Sequence, residues 1–335
     1  MAATIGKRME RASGKTDIAI RTNHLTRDFG QVRALDDLSL EVPAGIVFGF
    51  LGANGAGKTT TINVLLSLIE PTAGTAEVLG LDTRQHGREI RSQSGALLEF
   101  TGLYERLTAL DNLDFYGRVW HLPASERLAR AQELLTHLDL WERRDDRVGT
   151  WSRGMKQKLA VARTLLHRPR IVFLDEPTAG LDPLAAASLR DDLAALAARE
   201  GVTVFLTTHN LPEAERLCAL VGVIRQGKLL AVGSPDELRM RGGAPRVEVV
   251  GNGFSDEVLA LLRARPDVAG ASIENGHLLI DLHASSGADQ PKAAPLVAAL
   301  VGAGVAVEEV RRGQASLEDV FLALMEDDRA KEAMQ

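Results

Sequence analysis

The sequence predicts an α/β fold built on a parallel sheet, followed by a smaller α+β domain. Three observations carry that prediction. An apolar run at 46–51 leads into a glycine-rich loop and then a helical pattern. A second apolar run, Ile171-Val172-Phe173-Leu174, ends in the carboxylates Asp175 and Glu176, and fully apolar runs of this length suit buried parallel strands. Beyond residue 245 a fresh alternation of strand and helix signals begins.

The loop is the most specific element. Residues 52–60 read Gly52-Ala53-Asn54-Gly55-Ala56-Gly57-Lys58-Thr59-Thr60, and Gly-x4-Gly-Lys-Thr between a strand and a helix is the spacing of a phosphate-binding loop. Glycines let the backbone curl until successive N–H groups face phosphate oxygens, and the helix N-terminus adds its positive dipole end. Lys58 can then reach the β- and γ-phosphates, while the Thr59 hydroxyl can ligate Mg²⁺. The acidic strand supplies the complement. Its C-terminal end lies where ligands bind in open α/β sheets. Asp175 is expected to hold Mg²⁺, and Glu176 to orient or deprotonate an attacking water.

Between these elements lies Trp151-Ser152-Arg153-Gly154-Met155-Lys156-Gln157-Lys158. Ser152 can cap a helix whose apolar positions Met155, Leu159, Ala162 and Leu166 recur at helical spacing. Gly154 permits close approach, so the N–H groups of that first turn make an anion site.

The ordered set resembles the ABC-type ATPases over roughly residues 18–235: the loop at 52–59, the signature at 151–155, the acidic strand at 171–176, Ala179-Gly180-Leu181-Asp182, and Thr207-Thr208-His209. The resemblance implies a P-loop NTPase fold with a helical subdomain over about 100–168, and Mg-dependent ATP hydrolysis. It also implies a head-to-tail dimer in which Ser152, Arg153, Gly154 and Met155 act in trans on the γ-phosphate held by the opposite subunit. Phe29 matches the aromatic that stacks on adenine; taken alone, it reads as a core Phe ahead of a Gly turn. His209 resembles the switch histidine that contacts the γ-phosphate. Asp182 resembles a residue coupling the two sites, against a plain helix-capping role.

Two departures stand out. Aligning 95–99 with the glutamine-bearing loop of such ATPases puts Glu99 where a Gln normally reaches the metal and the water, with Gln93 as the nearby alternative register. Glu can ligate the metal, and it adds negative charge beside Asp175 and Glu176. In the signature, Trp151, Arg153 and Met155 replace the commoner Leu, Gly and Gln, a variation familiar among the ATPases of drug- and polyketide-exporting systems.

At 335 residues, two domains is the natural expectation. A net charge of −6 argues against a nucleic-acid partner, which usually meets a basic face. The mixed-sign run at 141–147 reads as solvated helix surface. The single Cys218 permits no intrachain disulfide and suits a reducing compartment; it falls in an expected helix over 213–220 as a buried small hydrophobe. No run approaches the roughly 20 apolar residues of a membrane helix, and residues 1–17 read as a disordered polar tail.

The expected domains are 18–240 for the ATPase and 246–326 for an accessory domain, with a tail at 327–335. The linker between them is Arg241-Gly242-Gly243-Ala244-Pro245. Strand signals at 247–250, 271–274, 277–282 and 305–310 alternate with helices near 258–262 and 296–301, a β-α-β-β-α-β, ferredoxin-like order. Asn275-Gly276 marks a hairpin, and a last helix starts at a Ser316 cap. A Leu317-Glu318-Asp319-Val320-Phe321 stretch resembles the tail of the ATPase subunits of daunorubicin-type (ABC-2) multidrug exporters. The second domain carries no catalytic constellation and reads as a dimer-stabilising or regulatory module.

The expectation is therefore an ATP-hydrolysing subunit of an ABC-type, exporting transporter. It would work as a homodimer on a separate membrane-spanning permease, cytoplasmic and peripheral on the inner face of the membrane. Two readings stay open beside it: an importer ATPase, and a soluble ABC ATPase of repair or translation.

Overall fold

The computed structural model describes residues 17–242, 246–274, 276–282, 293–313 and 317–322. Expectations for the tails (1–16 and 327–335), the linker at 243–245, the turn residue Asn275 and the cap Ser316 fall outside these residues. The chain divides into two compact units between Val232 and Gly233.

The first unit opens with two long antiparallel strands, β1 (Ile18–Phe29) and β2 (Val32–Pro43). β3 (Val47–Leu51) leaves that layer, and β4 (Ala73–Val78) and β5 (Leu81–Asp82) complete a four-stranded sheet in the order β2-β1-β4-β5. β3 instead joins β6 (Ser94–Leu97), β7 (Ile171–Asp175), β8 (Thr203–Thr208), β9 (Leu220–Arg225) and β10 (Lys228–Gly233) in a six-stranded sheet ordered β10-β9-β3-β8-β7-β6. The pairings of β3 with β8 and β9, β6 with β7, and β7 with β8 are parallel. Phe48, Phe50, Phe173 and Phe205 are all fully buried. The Phe205 ring lies 5.3–5.8 Å from the other three. Each such ring contributes roughly 1.5–3 kcal/mol by leaving water, so this knot of rings fixes the strands whose ends carry the site.

The helices follow in chain order: α1 (Lys58–Leu65), α2 (Gly87–Ser92), α3 (Ala109–Val119), α4 (Ala124–His137), α5 (Arg153–Leu165), α6 (Pro183–Glu200) and α7 (Leu211–Leu217). The helical layer expected near 100–168 is made by α3, α4 and α5, which pack on one another. Thr108 caps α3 by accepting from Asp111 N at 3.0 Å, and the loop before it is stitched to the signature segment by the Thr108–Arg147 bridge. The mixed-sign run contains only a 3₁₀ turn, Trp141–Arg143, with an Arg143–Asp146 pair at 2.7 Å.

One expected element is corrected. The helical pattern at 213–220 breaks at Leu217: Cys218 is already extended, and Leu220 opens β9. Pairing with β3 overrides local propensity, because Ala219 N donates to Val47 O at 2.9 Å and the ladder continues from Leu220 opposite Phe48. Cys218 is buried as expected, and burial pushes its thiol up to about 12.

In the second unit, Ser234 and Glu237 form a reciprocal capping box at the start of α8 (Pro235–Gly242). The sequence reading carries the first domain to 240, whereas the structural division leaves α8 with the second unit. Then follow β11 (Arg246–Asn252), α9 (Asp256–Arg263), β12 (Val268–Glu274), β13 (His277–Leu282), α10 (Ala293–Gly302) and β14 (Ala306–Gly313). All three pairings in the order β12-β13-β11-β14 are antiparallel, the ferredoxin-like arrangement. The β12–β13 hairpin closes at the pair Glu274–His277, with Gly276 at φ 82°. Val247, Val249, Leu278, Ile280 and Leu282 face Leu262, Leu296 and Leu300 in an apolar core.

Candidate functional site

The phosphate-binding loop joins β3 to α1 as the sequence predicts. Its glycines answer to space as well as to dihedrals. Gly57 sits at φ 107°, and a Cβ there would lie 2.6 Å from Ala34 O. A Cβ on Gly52 would lie 2.5 Å from Ile224 O. Lys58 is nearly buried and turns back over the loop, donating to Gly52 O at 2.6 Å and Ala53 O at 3.3 Å.

β7 delivers both carboxylates to this point. Asp175 Oδ2 accepts from Thr59 Oγ1 at 2.7 Å, and its other oxygen accepts from Thr207 Oγ1 on β8. Glu176 stands past the strand end at φ 48°, a left-handed conformation that costs a non-glycine residue roughly 1–2 kcal/mol. Two contacts of its N–H hold it there, to Thr207 O and Thr207 Oγ1, both at 3.1 Å. Its side chain meets Lys58 Nζ at 3.1 Å and His209 Nδ1 at 2.9 Å. Burial pushes the Glu176 carboxyl up, but the hydrogen bonds from His209 and Lys58 outweigh it and hold the group below the usual carboxylate range. It is thus an ionised acceptor at the mouth of the loop.

Lys58, Thr59, Asp175 and Glu176 line a cavity of about 510 Å³ that also takes in Asn54, Thr60, Glu99 and Arg153, while His209 lines a second cavity that shares Glu176. Glu99 lies in the first, whereas Gln93 sits at the end of α2 with its side chain on Arg170. A hydroxyl and a carboxylate oxygen converging from Thr59 and Asp175 form a hard oxygen donor set suited to Mg²⁺. Among the described residues no three His, Cys, Asp or Glu side chains cluster as a metal centre, so a divalent ion here would draw further ligands from phosphate oxygens and water.

Other expected residues lie around this centre. Phe29 ends β1, is 46 % exposed and has the Arg27 guanidinium 4.5 Å from its ring centroid, which excludes the core-Phe alternative. Ser152 caps α5, its Oγ accepting from Met155 N at 3.3 Å. Gly154 faces Ala185, whose Cβ would be 3.1 Å from an added methyl. Met155 Sδ lies 3.7 Å from Arg143 Nη1. Arg153 lies within its own chain's cavity and donates to Ala179 O at 2.9 Å, packing its guanidinium on Gly180. Asp182 caps α6, accepting from Leu184 N at 3.1 Å and Ala185 N at 2.9 Å.

Sequence reasoning missed Thr207, which holds both carboxylate residues, and Gln157, whose Nε2 donates to Pro177 O at 2.7 Å beside the cavity. Thr207 stands in the motif that ends at His209, but only the β7–β8 register sets it opposite Asp175.

Comparison with known proteins bears on this site. The ABC transporter family profile matches residues 35–179. A daunorubicin resistance ATP-binding protein of Streptomyces coeruleorubidus is 38 % identical over 320 residues, spanning 94 % of this chain and 98 % of that protein. The bacitracin transport ATP-binding protein of Bacillus licheniformis is 40 % identical over 222 residues, 66 % of this chain and 72 % of its own. Among solved structures, the cbiO1 protein of Clostridium perfringens, part of an ABC transporter complex, shares the fold. Its TM-score is 0.63 at 24 % identity, over 66 % of this chain and 90 % of that one.

Proposed function

The chain belongs to the ABC transporter family as an ATP-binding, ATP-hydrolysing subunit, and from that premise we propose that it powers export through a permease carried on another chain. The observation that carries the reading is the constellation of Lys58, Thr59, Asp175 and Glu176 around one cavity, with His209 paired to Glu176 at its edge. The export direction is supported by the signature variant Trp151-Ser152-Arg153-Gly154-Met155 and by the drug-resistance and antibiotic-transport relatives.

ATP sits with its phosphates on the N–H groups of residues 52–60 and its adenine against Phe29. Lys58 exchanges its contacts with loop carbonyls and Glu176 for phosphate oxygens. Thr59 and Asp175, with Glu99 nearby, would hold Mg²⁺, which would supply charge neutralisation on the phosphates. Glu176, ionised at neutral pH, accepts a proton from the attacking water, and His209 orients it toward the γ-phosphate. In a homodimer the α5 N-terminus, with Ser152, Arg153, Gly154 and Met155, closes on the γ-phosphate of the opposite subunit, and Asp182 links the two sites. Among the described residues no helix is long and apolar enough to cross a membrane. The proposed location is cytoplasmic, on the inner face of the membrane, through the permease.

The test is purification of tagged Glu176→Gln protein from detergent-solubilised membranes with Mg-ATP, with turnover measured alongside. Turnover is expected to fall roughly 10²–10⁴-fold with ATP binding intact, and a multi-spanning membrane protein should co-purify in stoichiometric amount. Normal hydrolysis would refute the base assignment; recovery only in the soluble fraction with ribosomal or DNA-repair proteins would refute the transporter reading.

A further inference from the structure

Glu213 is the only carboxylate among the buried described residues, at 0 % exposure. It occupies the first turn of α7, where Asn210 already supplies the cap by accepting from Glu213 N at 3.2 Å. In a capping box the glutamate side chain would return to the N-cap N–H. Here that N–H, of Asn210, donates to Thr208 Oγ1 at 2.9 Å instead. Glu213 Oε2 accepts from Thr178 Oγ1 at 2.9 Å and from Thr208 Oγ1 at 2.8 Å, while Oε1 has no partner. No cation is paired with it in these contacts, and burying a carboxylate on two hydroxyls is costly. Helix capping does not account for that cost, since a shorter polar residue meets it.

The two hydroxyls lie beside the reacting groups. Thr178 follows Glu176 by two residues, in the loop that leads to Asp182, and Thr208 directly precedes His209. A single buried oxygen therefore ties the loop after the general base to the strand end that carries the histidine. We infer that Glu213 is a positioning residue that makes Glu176 and His209 move as one body and preserves their 2.9 Å contact. The inference rests on the roles proposed above for those two residues. It adds that the clamp linking them is built into α7, behind the cavity and out of reach of nucleotide.

The test uses the purified full-length chain, with kcat, KM for ATP and thermal midpoint read on each variant. Glu213→Leu keeps the volume and removes the acceptor; kcat is expected to fall roughly 10²-fold while KM stays unchanged, as for a displaced catalytic group. Thr178→Val and Thr208→Val should each lower kcat, and adding either to Glu213→Leu should lower it no further. Glu213→Gln retains one oxygen able to accept both hydroxyls and should recover most of the turnover. If Glu213→Leu does not fold, the two near-isosteric threonine variants carry the test. Unchanged kcat in those variants, or parallel losses in kcat, KM and midpoint without recovery in Glu213→Gln, would overturn the inference. Glu176→Gln assayed beside them separates the two claims: normal turnover there defeats the base assignment, while the coupling among Thr178, Thr208 and Glu213 is read independently.

Discussion

The two units bury their residues by different rules. Every buried polar or charged side chain among the described residues belongs to the first unit, Lys58, Asn112, Arg130, Thr207 and Glu213 among them. The buried side chains described in the second unit are apolar throughout. Its ion pairs, such as Arg265–Asp267 and Arg311–Glu309, lie at the surface, where such pairs add little. A buried polar group left unpaired costs roughly 1–3 kcal/mol; the first unit offsets this with hydroxyls, carbonyls and counter-charges, while Glu213 Oε1, Thr83 Oγ1 and Arg130 Nε have no hydrogen-bond partner among the described residues. Arg130 shows the pattern, bonding Glu133, Glu200 and Leu165 O. Tolerance of polar burial marks the unit that must present charge to a ligand.

Three measurements sharpen that contrast. The largest expected effect is Leu278→Ala, which opens a cavity in the second core and should cost roughly 2–5 kcal/mol of that unit's stability. Nucleotide affinity should stay unchanged; a loss of ATP binding in the folded variant would mean the units are not energetically separate.

Acid sensitivity comes next, and it should reside in the first unit. His167 stacks on Trp120 with 3.8 Å between ring centroids and bonds Ser94 O at 3.0 Å. Burial lowers its pKa to about 4. An unfolded chain has the ordinary histidine value near 6.5 and so binds the extra proton first. Stability is fully present above about 6.5 and falls as pH drops toward 4, by up to roughly 3 kcal/mol. Thermal melts at pH 7 and 5 should show this slope, and His167→Gln should remove this part of it. An identical slope in both proteins would assign the acid sensitivity to other groups.

The smallest effect concerns Asp182. As an N-cap, its replacement by Ala should cost roughly 0.5–2 kcal/mol, seen as a lower thermal midpoint. If the folded variant also loses cooperativity in ATP hydrolysis, the residue serves the coupling between sites as well; unchanged cooperativity leaves it a cap alone.

Much of this molecule was legible from residue order. The loop at 52–60 and the strand ending in Asp175 and Glu176 are contiguous in sequence, so spacing alone predicts their shape. The strands and helices of the second unit alternate at short range and were foreseen nearly in full, down to the His277–Leu282 strand. The long β1–β2 pair was not foreseen. Its alternation is interrupted by several register shifts and by left-handed backbone at His24 and Asp37, which blurs the period of two that announces a strand.

What the sequence determined by itself is chemistry carried by neighbours along the chain: the phosphate-binding turn, the acidic strand end, the capped signature helix and the βαββαβ order. Turn geometry and periodicity are local properties, and they survive without tertiary context. Only the tertiary structure decided that α7 stops at Leu217, that Arg153 reaches Ala179 of its own chain, and that Thr207 and Glu213 hold the residues around the cavity. Each depends on the register between strands and loops far apart in sequence. That register is set by the packing of buried rings and parallel ladders, which no local pattern encodes.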